Sequence, residues 1–342
     1  MNQAGKIISV SPKYALPGAE IEILVEGFHV QPDRNHGCYV NSRASQIVAA
    51  SSDRVLAIVP PSIAEEQKAN VNLESGGEWS NAAEIRVAGV LAEDMHMVAN
   101  PAVNPKDDSI ILTRSGSRGQ QLPGTLFRFE PDGYLDEMPV EFLNPTAIAF
   151  DPAGDMYVTN RSDGEVCRID RGDEAVPYAT GLGVATGLAF DSEGVMYVGD
   201  RSGTIYKIET PGEPTHFATL DPSVSAYHLA FGPDGRLYVT APGLSSYDAV
   251  YAIEQNGHPE IYARGFGRPQ GMAFDVDGNL YVAACYRGKH GIVRIAEGGE
   301  DIEMFAAGNN AVGLCFTREG DMIVATNEAV FELPVGIQGT LL

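Results

Sequence analysis

The sequence is poor in positive charge. Its 342 residues include 23 lysines and arginines against 46 aspartates and glutamates, which gives a formal net charge of −23 at pH 7. A protein that binds nucleic acid by neutralising phosphates needs the opposite balance. We therefore expect no nucleic-acid partner.

Cysteines and long apolar runs are also scarce. The four cysteines, Cys38, Cys167, Cys285 and Cys315, form no CxxC pair and have no histidine at metal-ligand spacing. This pattern predicts neither a zinc site nor a disulfide framework, and it fits a reducing compartment. Because no run of 18 apolar residues occurs and the first residues do not resemble a secretion signal, we expect a cytoplasmic protein without a membrane partner, unless an export signal has been removed.

Turn-forming residues, by contrast, are abundant. The chain has 38 glycines and 21 prolines, and 44% of its residues are hydrophobic. Such a composition is typical of a globular protein with many tight turns between short strands. The sequence therefore predicts an all-β protein.

A repeat of about 42 residues is the strongest pattern. Its copies align on phenylalanines that are 40, 41, 43 and 42 residues apart, namely Phe150, Phe190, Phe231, Phe274 and Phe316. Each copy reads as two apolar strands around a polar turn with glycine, as in AIAFDPAGDMYVT from Ala147, followed by a third strand and a weaker fourth. A period of this length is typical of β-propeller blades.

Six blades are predicted over residues 89–342. A degenerate first copy begins near Asn100 with NPKDDSIILT, and five regular copies follow. The last copy has little room for a fourth strand, because only nine residues follow Leu333. Residues around Val90 to Val98 are expected to supply that strand and close the ring, which would leave no exposed edge.

Residues 1–88 do not share the repeat. They contain short apolar segments between turn signals, for example IISVSP, IEILVEGF and VLAIVPP. This pattern predicts a small β-sandwich that precedes the propeller.

Both regions resemble known families. Through Ser11-Pro12, Gly18, Glu26-Gly27-Phe28 and Val59-Pro60, residues 1–88 resemble an IPT/TIG domain of the immunoglobulin-like class. Through the sequence from Pro145 to Pro152 and its copies, residues 89–342 resemble an NHL or gluconolactonase/regucalcin-type six-bladed propeller. Propellers host unrelated functions, so the resemblance implies a fold more than a chemistry.

One face of the propeller is expected to carry the site. The starts of the innermost strands and three long loops, Arg114 to Thr125, Ala241 to Ala249 and Cys285 to Gly291, belong to this face. Seven cations fall on its loops: Arg114, Arg118, Arg161, Arg201, Arg268, Arg287 and Lys289. The opposite turns carry acidic residues, so we expect a relatively basic mouth that attracts an anion. The alternative is that these cations pair with Asp163, Asp200 and Asp248 beside them.

The predicted ligand-binding residues lie at this mouth. They are Thr146, Arg161, Thr186, Arg201, His228, Gln270, Arg287 and Asn310. His228 and Tyr227 are also candidates for an acid/base pair, although a hydrogen-bonded structural role for His228 is the stronger expectation. Cys285 and His290 form a weaker candidate for a nucleophile pair.

The lactonase resemblance implies a divalent metal at the channel mouth, held by carboxylates and asparagine amides. In this chain the corresponding positions hold Thr146, Thr186 and Gln270, with Ala99 or Val312 where a glutamate is wanted. Because a hard divalent ion prefers anionic oxygen ligands, no metal or other cofactor is predicted. A shift of one blade in the alignment would bring Asp200 into the set.

Three functions follow from these observations. The leading one is a non-catalytic binding or scaffold protein whose mouth recognises an anionic small molecule or a protein segment. The second is a gluconolactonase/regucalcin-like hydrolase or lyase that acts on a small acidic metabolite. The third is a structural role in which the N-terminal sandwich adds an edge strand to a neighbour and forms an oligomer.

Overall fold

The computed structural model describes residues 5–28, 36–63, 67–116, 120, 122, 125–140, 142–245 and 247–340. Within this part of the chain the protein is all-β, with 34 strands and one short 3-10 helix, Pro61–Ile63. No helix in it has the length and apolar character needed to cross a membrane.

The first ten strands form the N-terminal unit. Their bounds are β1 Lys6–Ser11, β2 Tyr14–Ala15, β3 Glu20–Glu26, β4 His36–Val40, β5 Arg43–Ser45, β6 Ile47–Ala50, β7 Arg54–Ile58, β8 Lys68–Ser75, β9 Glu78–Trp79 and β10 Ala83–Val87. One sheet has the order β1-β3-β7-β6, and the second contains β2-β10-β8-β4-β5. Alternate residues of both sheets, such as Ile21, Ile23, Val71 and Leu73, are buried in one shared core. The period-2 burial follows from the alternation of side chains along each strand.

The remaining 24 strands form six groups of four, of which the fourth and fifth belong to the same continuous sheet as β2. Their bounds are β11 Gly89–Glu93, β12 Ala102–Val103, β13 Ile110–Thr113, β14 Leu126–Phe129, β15 Leu135–Glu137, β16 Pro145–Phe150, β17 Met156–Asn160, β18 Glu165–Ile169, β19 Ala175–Ala179, β20 Ala185–Phe190, β21 Met196–Asp200, β22 Thr204–Ile208, β23 Thr215–Thr219, β24 His228–Phe231, β25 Leu237–Thr240, β26 Asp248–Ile253, β27 Pro259–Gly267, β28 Met272–Phe274, β29 Leu280–Tyr286, β30 Lys289–Ile295, β31 Ile302–Ala307, β32 Ala311–Phe316, β33 Asp321–Thr326 and β34 Ala329–Pro334.

These sheets are the blades of a propeller. Blades one to five are formed by consecutive groups of four antiparallel strands, from β12–β15 to β28–β31. The innermost strands contact one another in a closed cycle, β12, β16, β20, β24, β28, β32 and back to β12. Residues of all six innermost strands line a central channel of about 120 Å³. These strand groups and their contacts are consistent with the propeller that the repeat predicts.

The ring of blades is closed by a strand that precedes the first blade in the sequence. In the sixth blade β11 pairs antiparallel with β34, and Gly89 lies opposite Glu332. The prediction that residues near Val90 supply the last strand is confirmed, and the strand itself spans Gly89–Glu93. Closure leaves the sixth blade with four strands and removes an open edge from the ring.

The N-terminal unit is joined to the fifth blade by a continuous sheet. The two-residue strand β2 pairs in parallel with β31 on one side and with β10 on the other. The Lys289 ammonium group donates a 2.6 Å hydrogen bond to the Glu22 carboxylate, and the Asn309 amide donates to the Gly18 carbonyl. One edge of the second sheet of the N-terminal unit is thus paired with the protein's own fifth blade.

On the face opposite the predicted site, acidic residues in the hairpin turns stabilise those turns by hydrogen bonds. The carboxylates of Asp151, Asp191 and Asp275 each accept hydrogen bonds from backbone N–H groups two and four residues further on. On the same face the chain after β34 returns to the channel, where the Thr340 N–H donates to the Phe274 carbonyl. Thr340 lines the channel at this face, so the C-terminal segment narrows the channel there.

Candidate functional site

Two arginines occupy equivalent positions in neighbouring blades. Arg161 directly follows β17 of the second blade, and Arg201 directly follows β21 of the third. The sequences Asn160-Arg161-Ser162 and Asp200-Arg201-Ser202 are copies of one repeat position. Because the second strands of all blades end on the same face, the two guanidinium groups are brought to the same side of the channel.

These arginines line a cavity of about 470 Å³, which we call the arginine cavity. Its wall also includes Asn144 and Thr186 of the second and third blades and Ser225 from the segment before β24. The cavity lies over the starts of the innermost strands, at the face predicted from the sequence.

The two guanidinium groups repel each other. Burial, and after it the charge of Arg201, lower the pKa of the Arg161 guanidinium below its usual value. An arginine stays protonated at neutral pH despite such a shift, so both charges persist. Two cations held together in this way attract an anion into the cavity.

The carboxylates beside the arginines are engaged elsewhere. Asp163 accepts a 2.6 Å hydrogen bond from the Asn160 amide, Asp200 accepts from the Val184 N–H, and Asp248 accepts from the Gly243 N–H. Among the described residues, neither Arg161 nor Arg201 lies within 4.0 Å of a carboxylate oxygen. The alternative in which neighbouring aspartates neutralise these two arginines is therefore wrong.

A buried amide faces the same cavity. Asn144 is 5% exposed, and its side-chain oxygen has no hydrogen-bond partner in the described part of the protein. Thr186 also lines the cavity, but its hydroxyl accepts a 2.9 Å hydrogen bond from the Tyr227 N–H and donates to the Gly199 carbonyl. Thr146 is fully buried, its hydroxyl has no hydrogen-bond partner among the described residues, and it lies outside the lining. Asn144 is thus a polar group with capacity for a ligand, and the sequence prediction missed it.

A second, larger cavity opens beside the first. We call it the amide cavity; it has a volume of about 880 Å³, and its polar lining includes His96, Arg268, Gln270, Cys285, Asn310 and Asn327. Val98, Val224 and Ser225 line both cavities, so the two are adjacent compartments of one mouth. In the part of the chain that the structure describes, neither lining contains an aspartate or a glutamate.

The amide cavity lies where the fourth and fifth blades share strand pairing. The innermost strand β28 has three residues, whereas β16, β20 and β32 have six. The upper end of its partner β29 pairs with β27 of the fourth blade instead, Gly267 opposite Cys285. Gln270 and Gly271 again share backbone hydrogen bonds with Ala283 of β29, so only Arg268 and Pro269 depart from the pairing.

The Cys285–Gly291 segment is not the long loop that the sequence suggested. β29 runs to Tyr286 and β30 begins at Lys289, so Cys285 and His290 lie opposite each other across a tight hairpin. The repeat pattern placed the strand ends too early, because β29 and β30 extend beyond the strands of the other blades. Both residues line the amide cavity, so the weaker candidate pair is brought together at the mouth.

The acid/base candidates lie deeper. His228 is 4% exposed, its Nε2 atom has no partner among the described residues, and burial lowers its pKa to about 4. The Tyr227 hydroxyl donates to the Asp221 backbone carbonyl, and burial raises its pKa. Neither residue is part of the two linings.

The other predicted cations are dispersed. Arg268 lines the amide cavity, whereas Arg287 lies outside both cavities with its guanidinium 5.0 Å from the centre of the Tyr286 ring. Lys289 pairs with Glu22, as described above, and Arg114 lies 5.0 Å from the Phe127 ring. Arg118 falls outside the described residues. Of the cations predicted for the mouth, Arg161, Arg201 and Arg268 line its cavities.

The residues at the implied metal positions do not fit a divalent ion. Thr146, Thr186 and Gln270 offer neutral oxygen atoms, and the Gln270 amide nitrogen is directed at the Ala311 carbonyl at 3.4 Å. Asp200 is 4% exposed and holds the Val184 N–H. In the described part of the chain, no group of three or more histidines, cysteines and acidic residues is arranged to hold a metal ion. A hard cation prefers several anionic oxygens, and this set lacks them.

Comparisons with known proteins identify a fold without a family. No protein-family model matches the sequence, and no curated protein matches it. Among solved structures, an auxiliary nutrient binding protein from Bacteroides ovatus is 13% identical, with 99% of this chain and 98% of that chain covered and a TM-score of 0.55. A gluconolactonase from Xanthomonas campestris is 15% identical over 89% and 99% of the two chains, with a TM-score of 0.59.

A third solved structure is similar to a lesser degree. Virginiamycin B lyase from Staphylococcus aureus is 14% identical over 88% of this chain and 100% of that one, with a TM-score of 0.50. At such identities the likeness carries the fold and leaves the chemistry open. Taken with the closed cycle of innermost strands, these comparisons make the chain an all-β protein with the fold of the gluconolactonase-like β-propellers.

Proposed function

We propose that this protein binds a small anionic molecule, such as a sugar acid, in the arginine cavity and does not transform it. The observation that carries the proposal is the pair Arg161 and Arg201, which lie together without a carboxylate partner among the described residues. The proposal follows the first of the functions expected from the sequence and narrows it to a small ligand.

The physical argument rests on charge compensation. In ligand-free protein the two guanidinium groups repel each other, and a bound carboxylate removes that repulsion while it accepts charge-assisted hydrogen bonds. The partial burial of Arg161 strengthens the attraction, because less water screens it. Residues 89–342 include 36 acidic and 16 basic residues. This negative charge repels anions from the rest of the propeller surface, so the mouth is the favoured place for an anion to bind.

Asn144 is suited to orient the ligand. Its buried amide has an unpartnered oxygen, and an amide oxygen accepts hydrogen bonds from hydroxyl groups. A molecule that combines a carboxylate with hydroxyl groups therefore matches the cavity better than a simple inorganic anion. This is the reason for placing sugar acids first.

Catalysis is the second candidate and has less support. The solved neighbours include a gluconolactonase and a lyase, and one fold serves both binding and catalysis. The implied metal positions hold neutral donors, and the Tyr227 hydroxyl is committed to a backbone carbonyl. Turnover of the bound molecule by wild-type protein that is lost in His228→Ala would favour this candidate over binding alone.

Isothermal titration calorimetry tests the proposal. We expect wild-type protein to bind at least one of D-galacturonate, D-gluconate and inorganic phosphate, and to bind neutral D-galactose at least tenfold more weakly than D-galacturonate. Arg161→Gln and Arg201→Gln are each expected to weaken binding about 10- to 100-fold, the usual size of a charge-assisted hydrogen bond. Binding should also weaken as salt increases.

Arg287→Gln is the matched control. Arg287 lies at the same end of the propeller, but it stacks on Tyr286 outside both cavities, so its removal should leave the affinity unchanged. No binding of any of the three anions would contradict the proposal. Equal losses in the Arg201 and Arg287 variants would also contradict it, since they would reflect a general electrostatic effect.

We also propose that residues 1–88 form an IPT/TIG-like domain of the immunoglobulin-like class and that residues 89–342 form a separate six-bladed domain. Two sheets with one shared core support the first part. Its place on the outer edge of the fifth blade suggests a supporting role beside the amide cavity, because Asn309 contacts Gly18 and the next residue, Asn310, lines that cavity.

A further inference from the structure

We propose that the ligand is a linear molecule with several carboxylates, which extends from the arginine cavity into the amide cavity and places a second carboxylate on Arg268. This inference rests on the proposed function and deepens it by naming the class of ligand. The relevant chemistry is a short chain with regularly spaced carboxylates, as in an oligomer of sugar acids or a glutamate oligopeptide.

The first argument is continuity. The two cavities share Val98, Val224 and Ser225 in their walls, and together they measure considerably more than a single sugar acid requires. A ligand confined to the arginine cavity would leave the larger space beside it unused. A molecule of two or three units would cross the shared wall.

The second argument is charge. Arg268 lines the amide cavity, and among the described residues it lies within 4.0 Å of no carboxylate. Among the described residues, the linings of both cavities lack aspartate and glutamate, although the chain contains 46 of these residues. The mouth thus has one cationic pair and, across the shared wall, a further cation, which is the pattern that a ligand with separated anionic groups requires.

The third argument is the chemistry between the cations. Gln270, Asn310 and Asn327 provide amides in the amide cavity, and the Asn327 side-chain oxygen is buried without a partner in the described part of the chain. Amides recognise hydroxyl and peptide groups, and among the described residues the lining contains the imidazoles of His96 and His290 but no phenylalanine, tyrosine or tryptophan. A polar, hydrogen-bonding chain fits this wall better than an apolar tail.

Titrations of D-galacturonate, digalacturonate and trigalacturonate test the inference. We expect the trimer to bind at least tenfold more tightly than the monomer, since it gains the Arg268 contact. Arg268→Gln should remove this gain, so that it weakens binding of the trimer at least tenfold more than binding of the monomer. Arg287→Gln is the control, because both arginines have positive φ angles, 49° and 50°, and Arg287 lies outside the cavities.

Cys285 provides a second readout that does not depend on affinity. Its thiol lines the amide cavity and is partly exposed, while Cys38 and Cys167 are buried and serve as internal references. Bound trimer should slow alkylation of Cys285 by iodoacetamide at least fivefold, and bound monomer should not. Peptide mapping by mass spectrometry measures both.

The outcomes separate this inference from the proposed function. Monomer binding that depends on Arg161 and Arg201, with no gain for the trimer and no protection of Cys285, would overturn the inference alone. Absence of monomer binding would count against the proposed function itself. Triglutamate is the second source to be tested: an equal gain supports the shared carboxylate spacing, and a gain for trigalacturonate alone supports sugar acids.

Discussion

Gly313→Ala is expected to destabilise the protein by at least about 3 kcal/mol, at the upper end of the cost of overpacking. A Cβ atom at Gly313 would lie 2.6 Å from the Ala99 carbonyl oxygen and 2.7 Å from the Asn100 Cα. All of these contacts are with backbone, which cannot rotate away. The midpoint of urea unfolding measures the change.

Gly172→Ala is the matched control for this prediction. Gly172 lies in an exposed turn of the second blade, where the nearest atom to an added Cβ is the Asp170 carboxylate at 3.3 Å, and its φ is not positive. The substitution should change the free energy of unfolding by less than about 0.5 kcal/mol. Similar effects of the two substitutions would contradict the close backbone approach at the channel.

His228 occupies the register position that other blades fill with glycine or alanine. The equivalent residues are Ala147, Gly187, Gly271 and Gly313, and added Cβ atoms at the glycines would meet the next innermost strand. The innermost strand of the following blade, β28, is short and has three residues. The His228 side chain is buried, so protonation of its imidazole must lower the free energy of unfolding.

The pH dependence of stability follows from this burial. The pKa of His228 falls from 6.5 to about 4 on folding. Between pH 6.5 and pH 4 the unfolded chain binds a proton at this histidine that the folded chain does not. The contribution of His228 to the free energy of unfolding is therefore fully present above pH 6.5 and is lost as the pH falls. The loss approaches about 3 kcal/mol at pH 4.

Urea unfolding of wild type and His228→Gln at pH 7.5 and pH 4 measures this effect. Carboxylates titrate in both proteins, so only the difference between them reports on His228. We expect wild type to lose about 3 kcal/mol more than the variant over this interval. Parallel pH profiles would show that the imidazole is protonated in the folded state.

The blade architecture could be predicted because each blade repeats the same local demands. Alternating apolar residues and a turn glycine recur in step with Phe150, Phe190 and their equivalents, and each blade packs against neighbours of the same kind. The closing strand could also be predicted, because too few residues remain after the last copy to form a fourth strand.

The site could be predicted in part. Arg161 and Arg201 could be predicted because they fall on loops of the face that carries the starts of the innermost strands, and the repeat alignment showed neutral residues where metal ligands are implied. That neither arginine has a carboxylate partner among the described residues could not be foreseen, since Asp163 and Asp200 are close in sequence but bind other groups. Direction of a side chain is a property of tertiary packing.

The amide cavity was missed for a different reason. It arises where β29 exchanges its partner from β28 to β27, a departure from the repeat that leaves no distinct sequence signal. Asn144 was overlooked because it directly precedes Pro145, the first residue of β16, and so lies outside the repeated motif. Irregular positions are those that a periodic pattern describes least well, and binding residues are frequent among them.

Thermal unfolding of Arg201→Gln, with and without D-galacturonate, tests the central claim most directly. Without the anion the variant should be more stable than wild type by about 1 kcal/mol, because it no longer holds two guanidinium groups together. In excess anion the order should reverse, since wild type alone gains the full stabilisation by bound ligand. A variant that is less stable in both conditions, or that responds to the anion as wild type does, would contradict the assignment of this cavity to an anionic ligand.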